Sequence, residues 1–529
     1  MNDLPVLTLL IALPLVGALA VACLPRVYSK QTALGVSLVT LAVGVAIAVN
    51  YDAGAGMQME EQHTWIEAFG VNYALGVDGL GLLLILLTAV LVPVVMVSGW
   101  FDADGGTVGA PRDGSSVASS GTGSARAFFA WVLALEALSL AVFAATDVFL
   151  FYVVFEATLI PAYFLIGGYG REGRGAAAMK FLMFQLAGGL VLLGAVIGLY
   201  VVSAQQGEPS YLLSDLAALD ISTSAGRWLF AGFFIAFAIK APLFPVHTWL
   251  ADATERATPG TSVLLVCVLD KIGTFGMLRF CLGLFPEASQ WATPVVVVLA
   301  LISIVYGALV AIGQDDVLRL IGLTSLSHFG FITLGIFVFS SQGGSGAILY
   351  MINHGLATGA LFLLAGYLIR RRGTSLISQM RGIEKVTPVL AGLFLVAGLA
   401  TLGLPGLSPF VSEFLVLLAA FDYAWWAGAV AVTGIVLAPI YVLWMYQRVM
   451  TGPTPTAVEG TRDLGAREIG AVAPLMVALV VFGFYPAPLL EVSNPTIDSL
   501  MQRVGVSDDE PAVPPGSVSE GPATEEGGD

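Results

Sequence analysis

Trp228-Leu-Phe-Ala-Gly-Phe-Phe-Ile-Ala-Phe-Ala-Ile-Lys240-Ala-Pro242-Leu-Phe-Pro245-Val-His247-Thr-Trp-Leu250 begins as an apolar helix and is then interrupted. At about 1.5 Å per residue, residues 228–249 reach about 33 Å, enough to cross the hydrocarbon core of a bilayer. Yet Lys240, Pro242, Pro245 and His247 fall within that length. Each proline lacks an N–H and opens the helical ladder, leaving carbonyls that must find water or side chains. An ionisable residue at membrane depth costs at least ~2.5–3.5 kcal/mol and marks an ion or proton path more often than an anchor. A broken span carrying charge is therefore the first expectation.

The rest of the chain has the same character. Of 529 residues, 57% are hydrophobic and 11% charged, against about 25% charged in a soluble domain. The mean hydropathy is +0.88. Apolar runs of about 20 residues recur between Leu4 and Phe484. The expected fold class is an all-α polytopic membrane protein with about 14 transmembrane helices, two of them broken. The second break is Leu404-Pro405-Gly406-Leu-Ser-Pro409-Phe-Val-Ser-Glu413, inside an apolar run, residues 388–420, too long for one straight crossing. The two breaks occupy corresponding places in two consecutive blocks of five spans, and an odd number of crossings inverts the second copy. The expected division is a three-helix region over residues 1–126, ending in a Gly/Ser-rich cytoplasmic loop (102–124). A five-helix repeat follows over 127–284 and its inverted counterpart over 292–449. A loop and last helix occupy 450–489, and an acidic, disordered tail 490–529. That tail holds nine acidic residues against Arg503 alone.

Charge placement orients the chain. Of 22 Lys and Arg, 17 fall in or beside the odd-numbered connections, which the positive-inside rule makes cytoplasmic, with both termini outside. The first apolar run has Asp3 before it and Arg26 and Lys30 after it, the reverse of a cleaved leader. The net charge of −15 makes a nucleic-acid partner implausible. Cys23, Cys267 and Cys281 have no metal or disulfide spacing, and no ligand set suggests a bound metal. Gly168-Tyr-Gly170-Arg-Glu-Gly173 fits a dinucleotide fingerprint, but it joins two membrane helices and follows no strand.

No Arg lies in mid-span, whereas Lys240 and Lys271 do. Arginine keeps its proton and lysine can lose it, so the membrane interior is populated by cations that can titrate. The ionisable residues at membrane depth are Glu136, Glu156, Lys240, Asp270, Lys271, His328, His354 and Glu413, with Asp147 and His247 at or near span ends. One such residue is as readily structural as functional; a row of them, of mixed sign, on seven spans is not a scatter.

These residues sit in stretches that resemble the antiporter-like, proton-translocating membrane subunits of respiratory complex I (NADH-quinone oxidoreductase), the M-type subunits above all. The resembling stretches include Leu75-Gly-Val-Asp78, Thr146-Asp147 through Glu156-Ala-Thr-Leu-Ile-Pro161, Ala238-Ile-Lys240 through His247-Thr-Trp, Asp270-Lys271 through Arg279, Ser325-Leu-Ser-His328, Asn353-His354-Gly355 and Phe410-Val-Ser-Glu413. They run in family order over about 72–448. The resemblance implies a subunit with no redox centre or cofactor of its own, in a bacterial-type plasma membrane. Its implied partners are L-type and N-type neighbours, lipids and, through the neighbours, a peripheral arm using FMN, iron-sulfur clusters, NADH and a quinone. It implies that Glu156 pairs with Lys240, that Lys271, His328 and His354 continue a hydrated polar axis, and that Glu413 ends it. L-type, N-type and multisubunit cation/proton antiporter relatives carry Lys at the Glu413 place, which separates this chain from the alternative, an antiporter subunit. A non-pumping structural subunit is the other alternative, against which the intact Glu156, Lys240 and Lys271 set argues. Asp270 departs from the family, which has an apolar residue there.

Overall fold

A computed structural model describes residues 4–103 and 124–506 of the chain. Helices α1 (Val6–Cys23) and α2 (Arg26–Val49) turn at Leu24-Pro25. A hairpin of β1 (Gln58–Ile66) and β2 (Val71–Val77) follows, a departure from the all-helical expectation. Its turn needs Gly70, at φ 65°, where an added Cβ would fall 1.8 Å from the Pro209 carbonyl oxygen. Glu61 of β1 accepts from the N–H of Leu7, at 2.7 Å, and of Thr8. A carboxylate is thereby placed at the positive end of α1.

The remaining helices are α3 (Gly79–Ser98), α4 (Ala125–Ala144), α5 (Val148–Tyr169), α6 (Arg174–Gln206), α7 (Thr223–Lys240), α8 (Thr248–Arg256), α9 (Pro259–Leu282), α10 (Pro286–Ile312), α11 (Val317–Phe337), α12 (Ser341–Arg372), α13 (Pro388–Thr401), α14 (Ser408–Tyr423), α15 (Trp425–Met450), α16 (Ala466–Phe484) and α17 (Ala487–Val504). Among the described residues, twelve helices are long and apolar enough to cross a membrane. The two apolar runs expected to be broken are divided where the prolines stand. One separates α7 from α8 and the other α13 from α14.

Each break is satisfied locally. At the first, the Trp249 indole donates to the Ile239 carbonyl (3.1 Å) and Phe244 N–H to Ser303 Oγ (3.0 Å). At the second, Gly403 and Gly406 take left-handed φ values of 74° and 93°, and Asn353 Nδ2 donates to the Ser408 carbonyl (2.8 Å). Irregular backbone at membrane depth persists because protein groups stand in for water.

Burial sorts the helices. The apolar stretches of α9, α11 and α12 are 100% buried, whereas those of α1, α2 and α16 are 33%, 28% and 28% buried. The helices carrying Lys271, His328 and His354 therefore form the centre, and α1, α2 and α16 leave most of their apolar surface exposed.

The expected disordered tail is corrected over its first part. Residues 487–504 form α17, with Leu489, Ser493, Ile497, Met501 and Val504 on one buried face. Asn494 Oδ1 accepts from Ser345 (2.8 Å), and Arg503 donates to the Gly283 carbonyl (2.8 Å). Composition summed over the whole tail hides this i, i+4 stripe. Most of the expected 102–124 loop (104–123) and the rest of the tail (507–529) lie outside the described residues.

Candidate functional site

The centre of the bundle holds a line of buried polar groups from four helices. Glu413, on the second turn of α14, accepts from the Tyr350 hydroxyl of α12 at 2.7 Å. That hydroxyl also lies 2.7 Å from His328 Nδ1 of α11. A hydroxyl has one hydrogen, so while Tyr350 donates to Glu413 it accepts from His328. The His328 and His354 rings stand 5.2 Å apart, and the Nε2 of each has no partner. His354 Nδ1 is 2.6 Å from Lys271 Nζ of α9, which also lies 4.3 Å from the Phe329 ring. Lys271, His328, His354, Tyr350 and Glu413 are 0–4% exposed. The break between α13 and α14 makes room for the carboxylate: a Cβ on Gly403 would fall 1.9 Å from Glu413 Oε2.

Lys240 ends α7 at the other break. Its ammonium donates to Thr158 Oγ1 of α5 (3.1 Å) and sits 4.6 Å from the Phe155 ring. Glu156 lies two residues before Thr158, with Oε1 unpartnered, against Gly189, where a Cβ would come within 1.9 Å. The pairing of Glu156 with Lys240 is thus corrected in form. No contact ion pair joins the two: Lys240 donates to the Thr158 hydroxyl, and Glu156 acts on it electrostatically across the gap.

Asp147 is removed from the line. Its carboxylate caps α5, accepting from Phe149 and Leu150 N–H (both 2.9 Å), and accepts from Asn72 N–H (2.9 Å) of the hairpin. Asp316 does the same for α11, accepting from Leu318 and Arg319. Both carboxylates hold helix ends, and Asp316 also takes the Arg171 guanidinium (3.2 Å) and the Ser375 hydroxyl. His247 lies in the first break, its ring 5.3 Å from that of Tyr306 and its Nδ1 unpartnered. Glu136 is buried on α4 with both oxygens unpartnered and does not join the line. Asp270 is buried beside Lys271, its Oδ2 without a partner.

Tyr350 and Thr158 are missed by sequence reasoning. Tyr350 stands four residues before His354, on the same face of α12, which is the one signal available. Thr158 stands three residues before Pro161, where the α5 ladder opens. One end of the bundle is closed by charge. Asp252 of α8 takes Lys180 and Arg319, both at 2.6 Å, and Glu255 takes Arg319 at 2.8 Å. Among the described residues no three His, Cys, Asp or Glu side chains gather in a metal-binding group.

Two broken helices bracketing a buried line of Lys, His, Tyr and Glu define an antiporter-like, polytopic membrane protein. Residues 145–438 match the family described as NADH:quinone oxidoreductase/Mrp antiporter, TM, and the chain belongs to that family. It is 49% identical, over 97% of its own length and 97% of the relative's, to NADH-quinone oxidoreductase subunit M of Mycobacterium tuberculosis (strain H37Rv). Its fold superposes on a chain of respiratory complex I from Thermus thermophilus with bound NADH. The TM-score is 0.84, with 32% identity over 94% of this chain and 100% of that one. A chain of the Mrp complex from Dietzia sp. DQ12-45-1b has a TM-score of 0.81 at 23% identity, over 94% of this chain and 99% of that one, and so shares the fold.

Proposed function

We propose that this chain is the M-type membrane subunit of an NADH-quinone oxidoreductase and moves protons along its buried line, driven by electron transfer in other subunits. The observation that carries the reading is the series Lys271–His354, His328–Tyr350–Glu413, in which each imidazole can take a proton on one nitrogen and give one from the other, while the lysine amine and the tyrosine hydroxyl take and give at a single atom. Lys271 gives a proton to His354 Nδ1. The facing imidazole rings, 5.2 Å apart, pass one between their Nε2 atoms. His328 Nδ1–H then gives to the Tyr350 oxygen as Tyr350 gives its own proton to Glu413. Each imidazole accepts on one nitrogen and releases from the other, so the transfer inverts its tautomer, which a ring flip or the return of a proton restores before the next one. Lys240, with Glu156 within electrostatic range, loads the line from the first break. Odd-numbered connections are cytoplasmic and Glu413 releases outward.

The chain is the non-redox member of a translocase. FMN, iron-sulfur clusters, NADH and the quinone belong to the peripheral arm, reached through L-type and N-type neighbours in the plasma membrane. The two five-helix blocks are inverted repeats, supported by the like capping of α5 by Asp147 and of α11 by Asp316. Against a cation/proton antiporter subunit stand Glu413 and the 49% identity with a subunit M, compared with 23% for the Mrp chain.

The test has two arms. A tagged chain should co-purify with the redox subunits, and Lys271→Ala, in complexes of equal subunit content, should abolish vesicle acidification coupled to quinone reduction. Co-purification with antiporter subunits alone would overturn the assignment, and unchanged acidification in Lys271→Ala would overturn the pathway.

A further inference from the structure

The two lysines of the line do not meet. Lys240 donates to Thr158, and Lys271 lies against His354. Between them runs α9, whose regular ladder is interrupted just before Lys271. Leu265–Leu269 is π-helical, and the Asp270 N–H reaches back five residues to the Leu265 carbonyl (3.0 Å). Such one-turn bulges re-aim side chains and recur at functional sites.

Here the bulge precedes Asp270. Asp270 and Gly273, three apart, share one face of α9. That face is pressed onto the end of α7: a Cβ on Gly273 would fall 2.4 Å from Ala241 N and 2.6 Å from the Phe237 carbonyl oxygen. Asp270 is thereby turned toward the break where Lys240 stands, whereas Lys271, about 100° further round, is turned to α12. Asp270 is 1% exposed, and its Oδ2 has no partner. Both lysines act electrostatically on its carboxylate, and the buried Cys267 thiol lies one turn back on α9.

We infer that Asp270 is the carboxylate relay that carries protons across the gap between Lys240 and Lys271. The inference rests on the proton-pathway reading above. The step balances. The Asp270 carboxylate takes a proton from the Lys240 ammonium, directly or through one water, leaving a neutral amine and a carboxylic acid. Once Lys271 has given its own proton to His354, the acid gives its proton to the Lys271 amine, restoring carboxylate and ammonium.

The experiment uses the intact complex in closed vesicles, with Asp270→Asn, Asp270→Glu and Lys271→Ala compared at equal subunit content. Asp270→Asn, which keeps size and hydrogen bonding but cannot carry a proton, should lower coupled acidification about tenfold or more. Asp270→Glu should retain a measurable part. Wild-type pumping in Asp270→Asn, with Lys271→Ala inactive, overturns the relay and leaves the pathway standing. Wild-type pumping in Lys271→Ala as well overturns the pathway itself. Equal impairment of Asn and Glu variants also overturns the relay, since packing would then explain both. Turnover-induced infrared difference spectra give a second reading that does not depend on the Asn variant assembling. A carboxyl band displaced by Asp270→Glu supports the relay, and spectra identical to wild type overturn it.

Discussion

Tyr350 is the residue on which the line turns. Lysine, histidine and glutamate stand out in an apolar run because their burial is costly, so Lys240, Lys271, His328, His354 and Glu413 are visible as anomalies of composition. Tyrosine is ordinary in such a run, and only the juxtaposition of α11, α12 and α14 places its hydroxyl 2.7 Å from both His328 and Glu413. Tyr350→Phe removes one oxygen and leaves the ring stacked on Phe331. It should slow coupled proton transfer about tenfold, about 1.4 kcal/mol in barrier, with the complex assembled. Acidification rates in Tyr350→Phe vesicles equal to wild type would show that protons bypass the hydroxyl. Asp147 illustrates the opposite error: a buried carboxylate at a span end looks like a proton site until its three backbone donors are seen.

Among the elements, the broken helices were legible and the small ones were not. Paired prolines near an ionisable residue mark both breaks, because two N–H groups lost within a few residues open the ladder, whereas the single internal prolines of α1, α3, α10 and α15 stay within continuous helices. β1 carries mostly polar, partly exposed residues and β2 is buried along most of its length, so neither strand shows the alternation that would announce the hairpin. Helix α17 was hidden because its five buried residues are diluted by acidic neighbours. Its packing is specific: Gly344 of α12 approaches so closely that a Cβ there would sit 2.8 Å from Ile497 Cγ2. Ile497→Ala should therefore leave a cavity costing roughly 2–5 kcal/mol. A lowered thermal midpoint of the purified complex, with loss of this subunit on heating, would reveal it. An unchanged midpoint would mean that α17 adds little to the bundle.

At the scale of the whole molecule, the wholly buried α9, α11 and α12 seal the polar line from lipid, while α1, α2 and α16 offer apolar flanks to lipid or a neighbour. Such a core confines protons to buried side chains, which is what coupling requires. At the end of the line, the α13–α14 break opens a place for Glu413. The most direct measurement is vesicle acidification together with quinone reduction in complexes carrying Glu413→Gln or Glu413→Asp, at equal subunit content. Gln keeps the size and the Tyr350 hydrogen bond but cannot carry a proton, and should sharply reduce pumping. Asp keeps the proton and shortens the reach by one methylene, and should retain part of it. Wild-type pumping in both variants would contradict the account and leave Glu413 a structural polar group.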